Sequence, residues 1–186
     1  MQINLKVNNF ATIKHINSFK KVEYYSVCLE NDGDISLFEL FIQKHSEENK
    51  EKLKHIMQWI KKIGDEVGAL PFYFRPEAET ADASALPPHG INREPTYIEF
   101  NDETGENENA PNNLRLYCFK VNEHVVFLFN GDIKTADRAQ DCDNVRPHFR
   151  LANELTKAIE NSFNHEINWN EDFSDIEIEE DFQLNW

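Results

Sequence analysis

Leu114-Arg115-Leu116-Tyr117-Cys118-Phe119-Lys120-Val121-Asn122-Glu123-His124-Val125-Val126-Phe127-Leu128-Phe129 is the stretch whose reading decides the architecture of this chain. Its first half alternates. Leu114, Leu116 and Cys118 point one way, and Arg115, Tyr117, Phe119 and Val121 the other, which is the period-two pattern of a strand. Asn122-Glu123 reads as a two-residue turn. His124 to Phe129 is then a nearly continuous apolar run, as a strand covered on both faces requires. The two halves therefore predict a tight antiparallel hairpin in the interior of a sheet.

Upstream, residues 20–30 (KKVEYYSVCLE) form a first strand that stops at the turn signal Asn31-Asp32-Gly33-Asp34. Ser36 and Glu39 have capping-box spacing, and Leu37, Phe38, Phe41 and Ile42 recur at helical intervals. A short helix is favoured there over a β-hairpin built on the Asp-Gly turn. Ser46 is in place to cap the next helix, whose stripe is Leu53, Ile56, Met57, Ile60, Ile63 and Val67, with Gly64 and Gly68 at its end. Beyond the central hairpin, Pro147 suits the first turn of a last helix with Phe149, Leu151, Ala152, Leu155, Ala158, Ile159 and Phe163 on its buried side.

Between these elements the pattern is weak. Phe72-Tyr73-Phe74 and Tyr97-Ile98-Glu99-Phe100 have the composition of short strands, whereas residues 78–85 and 102–113 read as exposed loops. The expected organisation is one α+β domain over residues 1–164, with long loops at 76–96 and 101–113. It comprises an N-terminal strand and helical hairpin, then a mainly antiparallel sheet with a C-terminal helix. An acidic, aromatic tail follows at 165–186, too apolar to be purely solvated, and should dock on the body, on a partner, or alternately on both.

Charge is distributed unevenly. The chain of 186 residues carries a formal net charge of −15, but residues 165–186 hold eight carboxylates and residues 99–109 another five, neither with a Lys or Arg. The rest is close to neutral, so a local basic face remains compatible with the acidic whole. Cys28, Cys118 and Cys142 read as reduced thiols, Cys28 and Cys118 lying in apolar strands. With no apolar signal core at the N-terminus and no membrane-length apolar run, a cytoplasmic location is expected. There is no Walker loop, dinucleotide glycine pattern, His-Glu-x-x-His or paired-cysteine zinc spacing.

The order of strand, helical hairpin, three strands and helix resembles the RelE/ParE toxin superfamily, in particular its HigB-like branch, which is related to a phage-derived protein family. The resemblance is carried by Leu114-Arg115-Leu116-Tyr117-Cys118-Phe119, by Val125-Val126-Phe127-Leu128-Phe129-Asn130-Gly131, and by the step Lys134-Thr135. It spans residues 114–160 well, residues 22–68 in pattern only, and neither the loops nor the tail. What it implies is a type II toxin that cleaves messenger RNA in the ribosome. A cognate antitoxin, of the helix-turn-helix kind, is the implied partner. No small-molecule cofactor and no membrane are involved. Fold alone does not fix that activity, since ParE-like members of similar topology act on gyrase.

Attack on a phosphodiester by the RNA's own 2′-hydroxyl needs a base, positive charge at the phosphate and an acid, and requires no metal. Arg115 and Lys134 are the expected phosphate contacts. Tyr117, on the Arg115 side of its strand, is placed to stack on a base or assist proton transfer. His148 is the expected acid or base, with Arg138, Arg146 and Arg150 adding RNA-binding charge around it. The chain is longer and more acidic than such toxins typically are. Either the tail restrains the basic face or docks an antitoxin, or nuclease activity has been lost and the tail makes the protein an interaction module. The nuclease reading requires cations on the sheet open to a polyanion. A buried ion pair at Arg115, with carboxylates lining the remaining face, would remove its basis.

Overall fold

The alternation along residues 114–121 works because the sheet is covered on both faces, each by its own apolar layer. The computed structural model describes residues 9–163 and 165–186. Its first strand, β1 (Phe10–Ser18), lies ahead of the expected one and pairs antiparallel with β2 (Glu23–Leu29), with a register shift between His15 and Asn17. The polar alternation of β1 suits a strand near the sheet edge and gives a weak apolar signal.

Ser36 caps α1 (Leu37–His45) with a complete capping box, its hydroxyl accepting from the Glu39 backbone N–H and the Glu39 carboxylate from that of Ser36. The next helix, α2 (Lys50–Lys62), begins later than Ser46 predicts. Ser46 instead closes α1, donating to the Gln43 carbonyl, and Asn49 precedes α2 without a side-chain cap. Leu53, Ile56, Ile60 and Ile63 are buried as expected, together with Trp59, but Met57 is 37% exposed. A wider turn over Ile63–Val67 carries the chain to Gly68 at φ +83°, a left-handed conformation that suits glycine.

The middle differs most from expectation. Phe72 and Tyr73 lie in a 3₁₀ turn (Pro71–Tyr73), followed by β3 (Arg75–Pro76) and β4 (Ser84–Leu86). Residues 78–85 are thus not wholly an exposed loop, since Ala83 and Ala85 are core residues. As expected for Tyr97-Ile98-Glu99-Phe100, β5 (Ile98–Asn101) is a short strand, whereas its partner β6 (Glu106–Asn109) lies inside the segment expected to be loop. β6, Glu-Asn-Glu-Asn, is a polar hairpin arm with no apolar alternation to reveal it.

The central hairpin is as expected: β7 (Leu116–Lys120) and β8 (Val125–Leu128) are antiparallel, with Cys118 opposite Leu128 and Phe119 opposite Phe127. Helix α3 (Arg146–Ser162) starts with proline in its first turn and buries Ala152, Leu155 and Ile159. The tail adds the hairpin β9 (Ile167–Trp169) and β10 (Ile176–Ile178), and then β11 (Leu184–Asn185), which pairs with β1. It docks on the body, with Ile167, Ile176 and Leu184 in the core under α3.

The main sheet runs β11-β1-β2-β8-β7-β4-β3, antiparallel except at β2 and β8. Leu114, Leu116, Cys118, Val126 and Leu128 pack toward α1 and α2, while Tyr117, Phe119, Val125 and Phe127 pack toward α3 and the tail. Each fully buried large side chain contributes about 1.5–3 kcal/mol. No helix among the described residues is long and apolar enough to cross a membrane.

Candidate functional site

The edge strand β3 ends at Pro76, which has no N–H to leave unpaired there, and places Arg75 and Glu77 on either side of it. Glu77 turns inward, its side chain 1% exposed. One carboxylate oxygen accepts from Arg115 Nε at 3.1 Å and the other from the Lys134 ammonium. Arg115 is itself 8% exposed, and its Nη1 donates to the backbone carbonyls of Asn112 (2.6 Å) and Leu114 (3.2 Å). Gly131 makes room for that backbone, because a Cβ built at 131 would stand 1.8 Å from the Arg115 carbonyl oxygen. Lys134 is held by its N–H on the Asn113 carbonyl (2.8 Å) and by Thr135, whose N–H donates to Cys142 Sγ (3.3 Å).

Arg75, Glu77, His89, Arg115 and Lys134 line an open cleft of about 360 Å³, with Asp137 also at its wall. His89 stands exposed on the loop that turns at Gly90, φ +102°. Arg75 donates from Nε (3.2 Å) and Nη2 (2.9 Å) to His89 Nδ1. A guanidinium only donates, so Nδ1 accepts and the neutral ring carries its proton on Nε2. Burial, then the charges of Arg75 and Arg115, push His89 below its ordinary value of 6.5, so the ring is neutral at pH 7. Arg75 is pushed down to about 10 by burial and by Arg115, against the pull of Glu77, and so stays charged. Its Nη1 is buried without a hydrogen-bond partner among the described residues.

Three cations thus face two carboxylates, on a chain whose net charge is −15. Excess positive charge held partly out of water is costly, and an anion in the cleft relieves it. An arginine fork and an ammonium side by side suit phosphate oxygens.

The residues expected from sequence fall into separate places. Arg115 and Lys134 are brought together, but Arg115 is not a free surface cation. Its Nε is spent on Glu77 in a buried ion pair, while the rest of the wall is mainly cationic rather than lined by carboxylates. Tyr117 is fully buried and packs on Phe149 at 5.6 Å between ring centroids. Burial and the nearby Glu77 push its hydroxyl above the ordinary 10, so it is a packing residue with no face for a base and no proton to give. His148 is elsewhere. Burial and the charge of Lys44 push it down, and its other charged neighbours are Asp132 and His45, none of them in the cleft. Arg138 pairs with Asp141 (2.5 Å) and Arg146 with Asp143 (2.7 Å), Arg150 is exposed, and none of the three lines the cleft. Arg75, Glu77 and His89 were missed. The available signal was the Arg-Pro-Glu step directly after an aromatic run, where a proline with charged neighbours marks a strand end rather than a strand interior.

Comparison of the chain with models of known families, with curated proteins and with solved structures finds no match.

Proposed function

We propose that the protein is a RelE/HigB-like toxin of a type II toxin–antitoxin pair. In this reading it is a cytoplasmic endoribonuclease that cuts messenger RNA in the ribosome through attack by the RNA's own 2′-hydroxyl. The cleft around Glu77 is its phosphate site. The observation that supports the reading is the surplus of cations there: Arg75, Arg115 and Lys134 converge on a cleft beside the strand and the Lys-Thr step that carry the family resemblance. Such preorganised charge stabilises the phosphorane-like state as negative charge builds on its oxygens. Glu77 is a positioning residue, since its oxygens hold Arg115 and Lys134 side by side and it is too buried to meet substrate. The acidic exterior disfavours tight binding of free RNA, which accords with a substrate already held extended by the ribosome.

A second reading, an interaction module without nuclease activity, is favoured by the exposed Phe173 (59%) among the tail carboxylates. The apolar half of that tail is already spent on the core, which leaves this reading less surface than the sequence suggested.

Inducible expression of wild type and of a variant carrying Arg75→Gln with Lys134→Gln tests the proposal, alongside mapping of message 5′ ends on programmed ribosomes. Wild type should arrest growth and produce new 5′ ends, and the folded double variant should do neither. A folded wild-type protein that neither arrests growth nor cuts message ends the nuclease reading and favours the module.

A further inference from the structure

We propose that His89 is the general base of the cleft, and that its accepting nitrogen is uncovered only when a phosphate takes Arg75 away from it. This rests on the nuclease reading above. In the structure the Nδ1 lone pair is occupied by Arg75 Nε and Nη2. Neutral imidazole is a weaker partner for a guanidinium than a charged phosphate oxygen. A phosphodiester entering the cleft therefore draws the Arg75 fork onto its own oxygens and leaves Nδ1 free. The ring sits on an exposed loop at the cleft wall, where an RNA strand can reach it.

The alternatives are poorly placed. Tyr117 is sealed in the core, His148 lies beside Lys44 and Asp132, and the Glu77 carboxylate is enclosed by its two cations. Among the cleft-lining groups, His89 and the Asp137 carboxylate are both exposed and able to accept a proton at neutral pH, and of the two it is His89 that is bonded to the arginine a phosphate would engage. The charged groups that act on it are Arg75, Arg115 and Lys134, which favour the neutral ring, and Glu77, which opposes them.

The step balances without a co-reactant. The 2′-hydroxyl proton passes to Nδ1, and the 2′-oxygen forms a bond to phosphorus as the phosphorus–5′-oxygen bond breaks. The departing 5′-oxygen takes a proton from water, and the imidazolium returns its own to solvent. The products are a 2′,3′-cyclic phosphate and a 5′-hydroxyl end.

The test is single-turnover cleavage of message on programmed ribosomes by the full chain, comparing wild type, His89→Ala and His89→Asn across pH 5–8. Asparagine keeps an acceptor for Arg75 but cannot take up a proton. Both variants should cut about 100-fold or more slowly, within the range general bases supply. The wild-type rate should rise with pH through an acid limb that both variants lose, and added imidazole should restore part of the His89→Ala rate. A His89→Asn protein within about threefold of wild type would show that His89 only orients Arg75, overturning the base while leaving the nuclease reading intact. Wild type that cuts nothing removes both.

Discussion

Glu77 and Arg115 form a 3.1 Å ion pair in which the carboxylate side chain is 1% exposed and the guanidinium side chain 10% exposed. They are 38 residues apart in sequence, and the contact joins the sheet-edge strand to the central hairpin. Removing one partner of a buried pair strands the other's charge, at a cost of about 3–5 kcal/mol. Glu77→Gln should therefore lower unfolding free energy by roughly that amount, and more than Lys134→Gln, whose ammonium lies nearer solvent. Urea unfolding of the two variants measures the difference; equal, small losses would mean the pair contributes little.

Glycine at 131 gives a sharper test of how the cleft is built. A methyl group there collides with the Arg115 carbonyl oxygen, which is backbone and cannot rotate aside. Gly131→Ala should destabilise by about 2 kcal/mol or more, in the range of overpacked interiors, and shift Arg115 off Glu77. The expected readout is a lower melting temperature together with changed amide chemical shifts at residues 115 and 77. A melting temperature within a degree of wild type would contradict the close approach.

How far the sequence could be read depends on where apolar pattern exists. The hairpin at 114–129, the capping box at Ser36 and Glu39 and the last helix at Pro147 each carry a local signal, and each is found. Edge strands such as Arg75–Pro76 and polar arms such as Glu106–Asn109 carry no apolar pattern, since they are too short or too polar to show one. The cleft was half legible for the same reason. Arg115 and Lys134 stand next to a readable hairpin, while Arg75, Glu77 and His89 come from the least patterned stretch and meet them only in three dimensions.

The cap of α1 should make stability depend on acid. Lys14 first, and then the Ser36 backbone and hydroxyl, hold Glu39 down at about 2, below the ordinary 4.5. A carboxylate depressed in the folded state contributes stability above its unfolded value, lost as pH falls through the folded one, so the window is about pH 4.5 to 2. Glu39 is partly exposed, so solvent screens the Lys14 pairing and the contribution is smaller than the shift alone implies. Ser36→Ala should cost about 1 kcal/mol. Glu39→Gln should flatten the stability profile between pH 4.5 and 2, seen by chemical denaturation at stepped pH. An unchanged slope would exclude Glu39 as its source.

The acidic tail makes the most direct distinction between a detachable restraint and a part of the fold. Leu184 is fully buried beneath α3, its strand completes the sheet beside β1, and Ile167 and Ile176 lie in the same layer. Leu184→Ala should therefore cost about 2–5 kcal/mol. A chain ending at residue 164 loses all three and uncovers the apolar face of α3, so it should lose cooperative unfolding and solubility rather than gain activity. Exposed carboxylates of the same segment, such as Glu179 and Glu180, should be replaceable by Gln within about 0.5 kcal/mol, since their side chains lie at the surface. Denaturation and sedimentation of these proteins decide the matter. A shortened chain that unfolds cooperatively at the wild-type midpoint would show that the tail is an appendage, and would restore the possibility that it lies over the cleft as a removable anionic cover.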